Sequence, residues 1–135
     1  MSKIKAKSEF NLLAAKVLID EHDYYAPSVH CSYYGCFQFI KYKLNQLGQT
    51  YDIVSQTIEA DKTLHSHTYP INLLLQELSA KGVNRHDVRE VKEKINDLKY
   101  FRVVADYHDK EISFQDSNKA LTLSNEIISI INKKL

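Results

Sequence analysis

Glycine and proline are scarce in this chain: 3 and 2 in 135 residues, where average usage is about 12% for the two together. Sandwiches, barrels and doubly wound sheets need many Gly/Pro turns. The shortage therefore argues against them and for a few long helices. The two cysteines, Cys31 and Cys36, are too few for a disulfide framework or a four-ligand zinc site. A Gly-rich phosphate loop and a nucleophile elbow are both missing, which argues against kinase or nucleotidyltransferase chemistry within the chain. No run approaches the roughly 18 apolar residues of a membrane span. The start, Met1-Ser2-Lys3-Ile4-Lys5-Ala6-Lys7, is basic but has no apolar stretch behind it. The expectation is that it is not a secretory signal and that the protein is cytoplasmic, with reduced thiols. A net charge of +1 gives neither a basic nucleic-acid coat nor an acidic tail. It leaves room for a local basic pocket, because net charge averages over all faces.

What is present is an ordinary globular composition, 44% hydrophobic and 26% charged, at a length that suits one domain with its own core. No linker, low-complexity tract or repeat divides residues 1–135. Phe10, Leu13, Ala14, Val17 and Leu18 predict a helix over about 8–22 that buries one face. Pro27 fits the first turn of a second helix, with Val29, Tyr33, Cys36, Phe37, Ile40, Leu44 and Leu47 as its stripe and Gly48 as a left-handed stop. Residues 49–68 are the least regular and hold at most a short helix. Thr68 reads as the cap of a helix with Pro70 in its first turn and Leu73, Leu74, Leu75 and Leu78 as its apolar residues, ended by Gly82. Asn84 with Asp87 caps a long helix to about Tyr107, and Ser113 with Asp116 caps the last one, which carries Ala120, Leu123, Ile127, Ile130 and Ile131. Short connections make neighbouring helices antiparallel. The expected fold is all-α, an up-and-down antiparallel bundle of four to five main helices. Strands fit only in 49–68 and 109–114.

The long helix breaks its own pattern. Its stripe runs Val88, Val91, Ile95, Leu98, then Arg102, then Ala105. Arg102 stands where the spacing asks for an aliphatic residue, and a charge in a core position is costly unless paired. In one reading Asp106, one turn on, pairs with it, or the stripe shifts to Phe101 and leaves Arg102 at the bundle edge. In the other, Arg102 lines a polar pocket and holds an anion such as a phosphate through its planar fork. His108 lies six residues on, about 120° away on an ideal helix, so the two share a face only if the helix ends there. A neutral histidine beside an arginine suits acid–base chemistry near neutral pH; a histidine at a helix end also suits the helix dipole.

Around this position the string Leu98-Lys99-Tyr100-Phe101-Arg102-Val103-Val104-Ala105-Asp106-Tyr107 resembles the signature of HEPN domains (higher eukaryotes and prokaryotes nucleotide-binding). Small prokaryotic members carry Arg-x-x-Ala-Asp-Tyr in the penultimate long helix. The second helix, with Ala26, Tyr33-Tyr34-Gly35-Cys36 and Leu44, is similar to the family's aromatic and small-residue helix. The resemblance implies a helical bundle and a homodimer whose interface brings two Arg/His sites into one cleft. Many members are metal-independent endoribonucleases whose motif is Arg, four to six residues, then His, as in Arg102 to His108. It implies that Arg102 and His108 act on the scissile phosphate and the ribose 2′-hydroxyl, leaving a cyclic phosphate, with Asp106, Tyr107, His67 and Tyr33 as auxiliary or substrate-binding residues. The partners it implies are RNA or a nucleotide, and a nucleotidyltransferase-type antitoxin if the chain is a toxin or defence effector. The alternative it carries is a non-catalytic module that binds a nucleotide or such a partner.

No cofactor, metal or membrane contact is expected. His65-Ser66-His67 has alternate-histidine spacing that can bind a metal, but Asp61 is the only further ligand nearby in sequence. Cys31 and Cys36, five apart on a helix, point in different directions and read as core or interface thiols. Tyr24, Tyr25, Tyr33 and Tyr34 read as core and dimer packing, with base stacking as the alternative.

Overall fold

The computed structural model describes residues 2–135; Met1 of the basic start lies outside them. Six helices form: α1 (Lys3–His22), α2 (Tyr25–Gln46), α3 (Tyr51–Ala60), α4 (Thr68–Ala80), α5 (Arg85–Tyr107) and α6 (Phe114–Lys134). Strands are absent among the described residues. The all-α expectation holds, but six helices form rather than four to five. The extra one is the weakly patterned stretch after Gly48, which becomes a full helix because the Thr50 hydroxyl caps it, accepting from the N–H of Ile53.

Most boundaries follow local chemistry. Gly48 and Gly82 have φ of 95° and 85°, a left-handed conformation that glycine adopts without a Cβ penalty. The Asn84 and Ser113 side chains accept from the N–H groups of Asp87 and Asp116, satisfying donors that the first turn of a helix leaves free. At α4 the expectation fails. Thr68 is the first helical residue, His67 is the N-cap, and no side chain caps it. The His67 ring is engaged elsewhere.

Hydrogen bonds and ion pairs fix the helix directions. Ser8 donates to the Gly35 carbonyl and Ser28 to the Ala15 carbonyl, so residues later in α1 meet residues earlier in α2, and the two run antiparallel. Arg102 meets Tyr34 while Asp106 meets His30, which makes α2 and α5 antiparallel. Lys94 pairs with Glu126, and Lys134 with Asp87, which does the same for α5 and α6. α2 is the central element, packed on α1, α4, α5 and α6. α3 and α4 lie in sequence between two members of this core, and α4 packs on both α2 and α5.

The core is one cluster that includes Val29, Ile40, Leu44, Leu74, Leu78, Val91, Leu98, Ile127 and Ile131. It matches the stripes read for α2, α4, α5 and α6. α1 does not match. Phe10, Leu13 and Val17 are 75%, 65% and 43% exposed, and the buried residues are Ser8, Ala15 and Ile19. The reason is close approach: a Cβ at Gly35 would sit 2.8 Å from Leu12 Cδ2, so α1 meets α2 along small residues and its larger apolar stripe turns outward. Of the thiols, Cys36 is buried and Cys31 half-buried. Burial pushes the Cys36 thiol up to about 12, so it remains protonated and inert.

Candidate functional site: an arginine in an aromatic cage

The second turn of α2 and the last turns of α5 face each other. α2 contributes His30, Tyr33, Tyr34 and Phe37, which follow helical spacing along one side. α5 contributes Lys99, Arg102, Asp106 and Tyr107. The core on α5 continues through Leu98 and Val104, with Phe101 partly buried against it. Arg102 therefore lies at the edge of the bundle, its side chain 15% exposed.

Arg102 is surrounded by rings. Its guanidinium carbon lies 5.3, 5.7 and 5.4 Å from the ring centroids of Tyr33, Tyr34 and Tyr107, within the range in which an aromatic face attracts a cation. Its Nη2 donates to the Tyr34 hydroxyl at 3.2 Å and to that of Tyr107 at 3.5 Å. Its Nε lies 3.2 Å from Asp106 Oδ2, an ion-pair distance, yet it makes no aligned hydrogen bond and is buried without an acceptor. Asp106 is shared, since His30 Nδ1 approaches the same Oδ2 at 3.0 Å. Burial works against the charge on Arg102, but Tyr34, Tyr107 and Asp106 together more than offset it, and the guanidinium is held charged. The ion pair with Asp106 exists, and it leaves the cation in a polar, aromatic-walled recess.

His67 is the second centre. It arrives from the connection before α4 and lies flat on Phe37, ring centroids 4.4 Å apart and planes at 4°. Its Nδ1 is 2.8 Å from the Tyr33 hydroxyl. The Tyr34 ring meets it edge-on at 5.6 Å, so Tyr33 and Tyr34 both bridge His67 and Arg102. Burial lowers the pKa of His67, and Arg102, Lys99 and Lys41 lower it further. Burial raises that of the Tyr33 phenol, with Arg102 opposing. Lys99 Nζ reaches the Thr68 hydroxyl at 3.2 Å, next to His67, and Lys41 Nζ lies 5.9 Å from the Phe37 ring centroid. Neither lysine forms an ion pair among the described residues. Lys41 also lines a cleft of about 190 Å³ between α2 and α3, with Tyr51, Ser55, Glu59 and Ser66. The arrangement is a cationic cluster in which a neutral imidazole sits among three basic side chains. Chemically it can hold an anion and exchange a proton beside it.

Of the residues singled out from the sequence, Arg102, Asp106, Tyr107, Tyr33 and His67 come together. His108 does not join them by any hydrogen bond, ion pair or ring contact. α5 ends at Tyr107, and His108 is its exposed C-cap with φ −97° and ψ 145°. His30, Phe37, Lys41 and Lys99 were missed. For His30 the signal was its place four residues before Tyr34 on α2, matching Asp106 four after Arg102 on α5. Among the described residues no group of three or more His, Cys, Asp or Glu forms a metal-ligand cluster, and His65 lies exposed in the connection. No helix among them is long and apolar enough to cross a membrane.

The chain matches no family model, no curated protein and no solved structure. The likeness to HEPN domains rests on the residues quoted for it.

The lowered pKa of His67 has a consequence for stability. Its folded pKa lies below its unfolded value of about 6.5, so between the two the unfolded chain binds more protons, and stability falls as pH drops through that window. In wild type the melting temperature should decline as pH is lowered from 7 toward 5. A His67→Gln variant, which cannot protonate, should show a shallower decline over the same range. Equal slopes would contradict the placement of His67.

Proposed function

We propose that the chain is a HEPN-type, metal-independent endoribonuclease that holds the scissile phosphate of RNA at Arg102. The observation that carries this reading is a charged arginine held among Tyr33, Tyr34 and Tyr107, in the same cluster as a histidine whose pKa burial lowers. RNA supplies its own nucleophile in the 2′-hydroxyl, so a protein needs only to move protons and neutralise the phosphorane charge. The arrangement offers both. The exposed Tyr107 and the lysines Lys41 and Lys99, without ion pairs, suit the flanking phosphates. Total RNA incubated with the purified protein in EDTA should be cleaved to fragments ending in cyclic phosphate. Intact RNA at micromolar protein would remove the ribonuclease reading.

The position of His108 favours a second reading. The Arg-to-His motif assigns it the proton transfer, yet it is an exposed cap with no contact to Arg102. On that ground the same cage would serve as a non-catalytic site for a nucleotide, or for a nucleotidyltransferase-type partner protein that copurifies from the native host. Both readings take the active unit to be a homodimer in the cytoplasm. The exposed stripe Phe10, Leu13 and Val17 on α1 is apolar surface that a second copy would cover.

A further inference from the structure

We propose that His67, from the connection between α3 and α4, is the residue that takes the 2′-hydroxyl proton during RNA cleavage at Arg102, with Tyr33 as its positioning residue. The inference rests on the ribonuclease reading and departs from the Arg-to-His motif, which points to His108. Three observations support it. His67 is fixed rather than free: its ring is stacked on Phe37 and edged by Tyr34, and Nδ1 is engaged by the Tyr33 hydroxyl. Tyr33 is at once the partner of His67 and a wall of the Arg102 cage, so one side chain sets the histidine against the arginine. His108 has no such partner.

The step uses one of the two tautomers that this hydrogen bond allows. With Nδ1–H donating to the Tyr33 oxygen, Nε2 carries the lone pair. In the step, Nε2 accepts the proton of the 2′-hydroxyl while the 2′-oxygen attacks phosphorus. The O2′–P bond forms and the P–O5′ bond breaks, and the departing 5′-oxygen takes a proton from water. Arg102 supplies positive charge opposite the charge gathering on the non-bridging oxygens. The charged and titratable groups around His67 are Arg102 and Lys99 from α5 and Lys41, Tyr33 and Tyr34 from α2. Burial and then the three cations hold its pKa below the usual histidine value, and the cations attract the phosphate to it.

The test compares single-turnover cleavage of a labelled RNA in EDTA by wild type, His67→Asn, His108→Asn and Tyr33→Phe, each checked for its melting transition. His67→Asn is expected to lose about 100-fold or more, the lower end of what a positioned acid–base group contributes, and His108→Asn far less. Tyr33→Phe keeps the ring that packs on Arg102 and removes only the partner of Nδ1. It should lower kcat with KM little changed and move the acid limb of the pH–rate profile to lower pH, because the imidazolium loses an acceptor. If wild type cleaves and His67→Asn cleaves equally well, or His108→Asn alone abolishes cleavage, the assignment to His67 is overturned and the ribonuclease reading survives. If wild type does not cleave, that reading falls and takes this proposal with it. A His67→Asn chain that does not fold leaves the decision to Tyr33→Phe, whose unaltered pH–rate profile would overturn the proposal.

Discussion

Arg102→Ala should abolish RNA cleavage while leaving the helical content of the protein intact. Removal of one preorganised donor to a developing oxyanion typically costs a factor of about 100 to 1,000 in rate, and Arg102 supplies the caged charge of this cluster. The loss should appear in kcat/KM at low salt and at high salt alike, because the guanidinium is largely buried and screening acts mainly on exposed charge. Structure should survive because Arg102 stands at the edge of the core. Its neighbours Leu98 and Val104 carry the packing, and circular dichroism checks this directly. Truncation also leaves Asp106 with His30 as its remaining partner. A variant that cleaves as fast as wild type would show that Arg102 only pairs with Asp106.

The largest effect on stability is expected from Leu98→Ala. Leu98 is fully buried on α5, one turn before Arg102, in the helix that packs against α2, α4 and α6. Removing its isobutyl group forfeits the transfer free energy of those atoms and leaves a cavity that helices on three sides cannot fully close. The cost should be about 2–5 kcal/mol, read as a lower midpoint in urea with an unchanged m-value. A loss under about 1 kcal/mol would mean the site collapses freely, contrary to the close packing of interiors. Because Leu98 lies beneath the arginine cage, the variant should also weaken function, but through global unfolding. Activity would return under stabilising conditions, whereas that of Arg102→Ala would not.

Much of this arrangement was legible in the sequence. The apolar stripes of α2, α4, α5 and α6 are regular, the caps at Asn84 and Ser113 announce themselves, and Gly48 and Gly82 stop their helices where they should. Arg102 stood out because it interrupts a stripe, and Asp106 and Tyr107 came with it on helical spacing. What could not be read is pairing between distant segments. Nothing local ties His67 to Tyr33, which are 34 residues apart, or His30 to Asp106, which are 76 apart. The first exists because the start of α4 packs on α2, the second because α2 and α5 pack antiparallel, and both are tertiary facts. α1 misled for a different reason. Its larger apolar residues make a convincing stripe, but Gly35 and the serines of the α1–α2 seam let the small face approach more closely, and packing at close range decided which face was buried. The position of His108 depended on where α5 ends, and the helix stops at Tyr107, which leaves His108 as an exposed cap.

The central claim is that Arg102 is held in its cage for a phosphate and not for stability. It is tested most directly by comparing wild type with Arg102→Met in two measurements on the same samples: affinity for a single-stranded 2′-O-methyl RNA, which cannot be cleaved by 2′-hydroxyl attack, and the melting temperature. Methionine keeps much of the side-chain bulk and removes the charge, and replacing a partly buried ion pair by an apolar side chain is often neutral or stabilising. The account predicts that binding is lost while the melting temperature is unchanged or higher. Unchanged binding together with a marked fall in melting temperature would contradict it, and would make Arg102 and Asp106 an internal ion pair of a structural bundle.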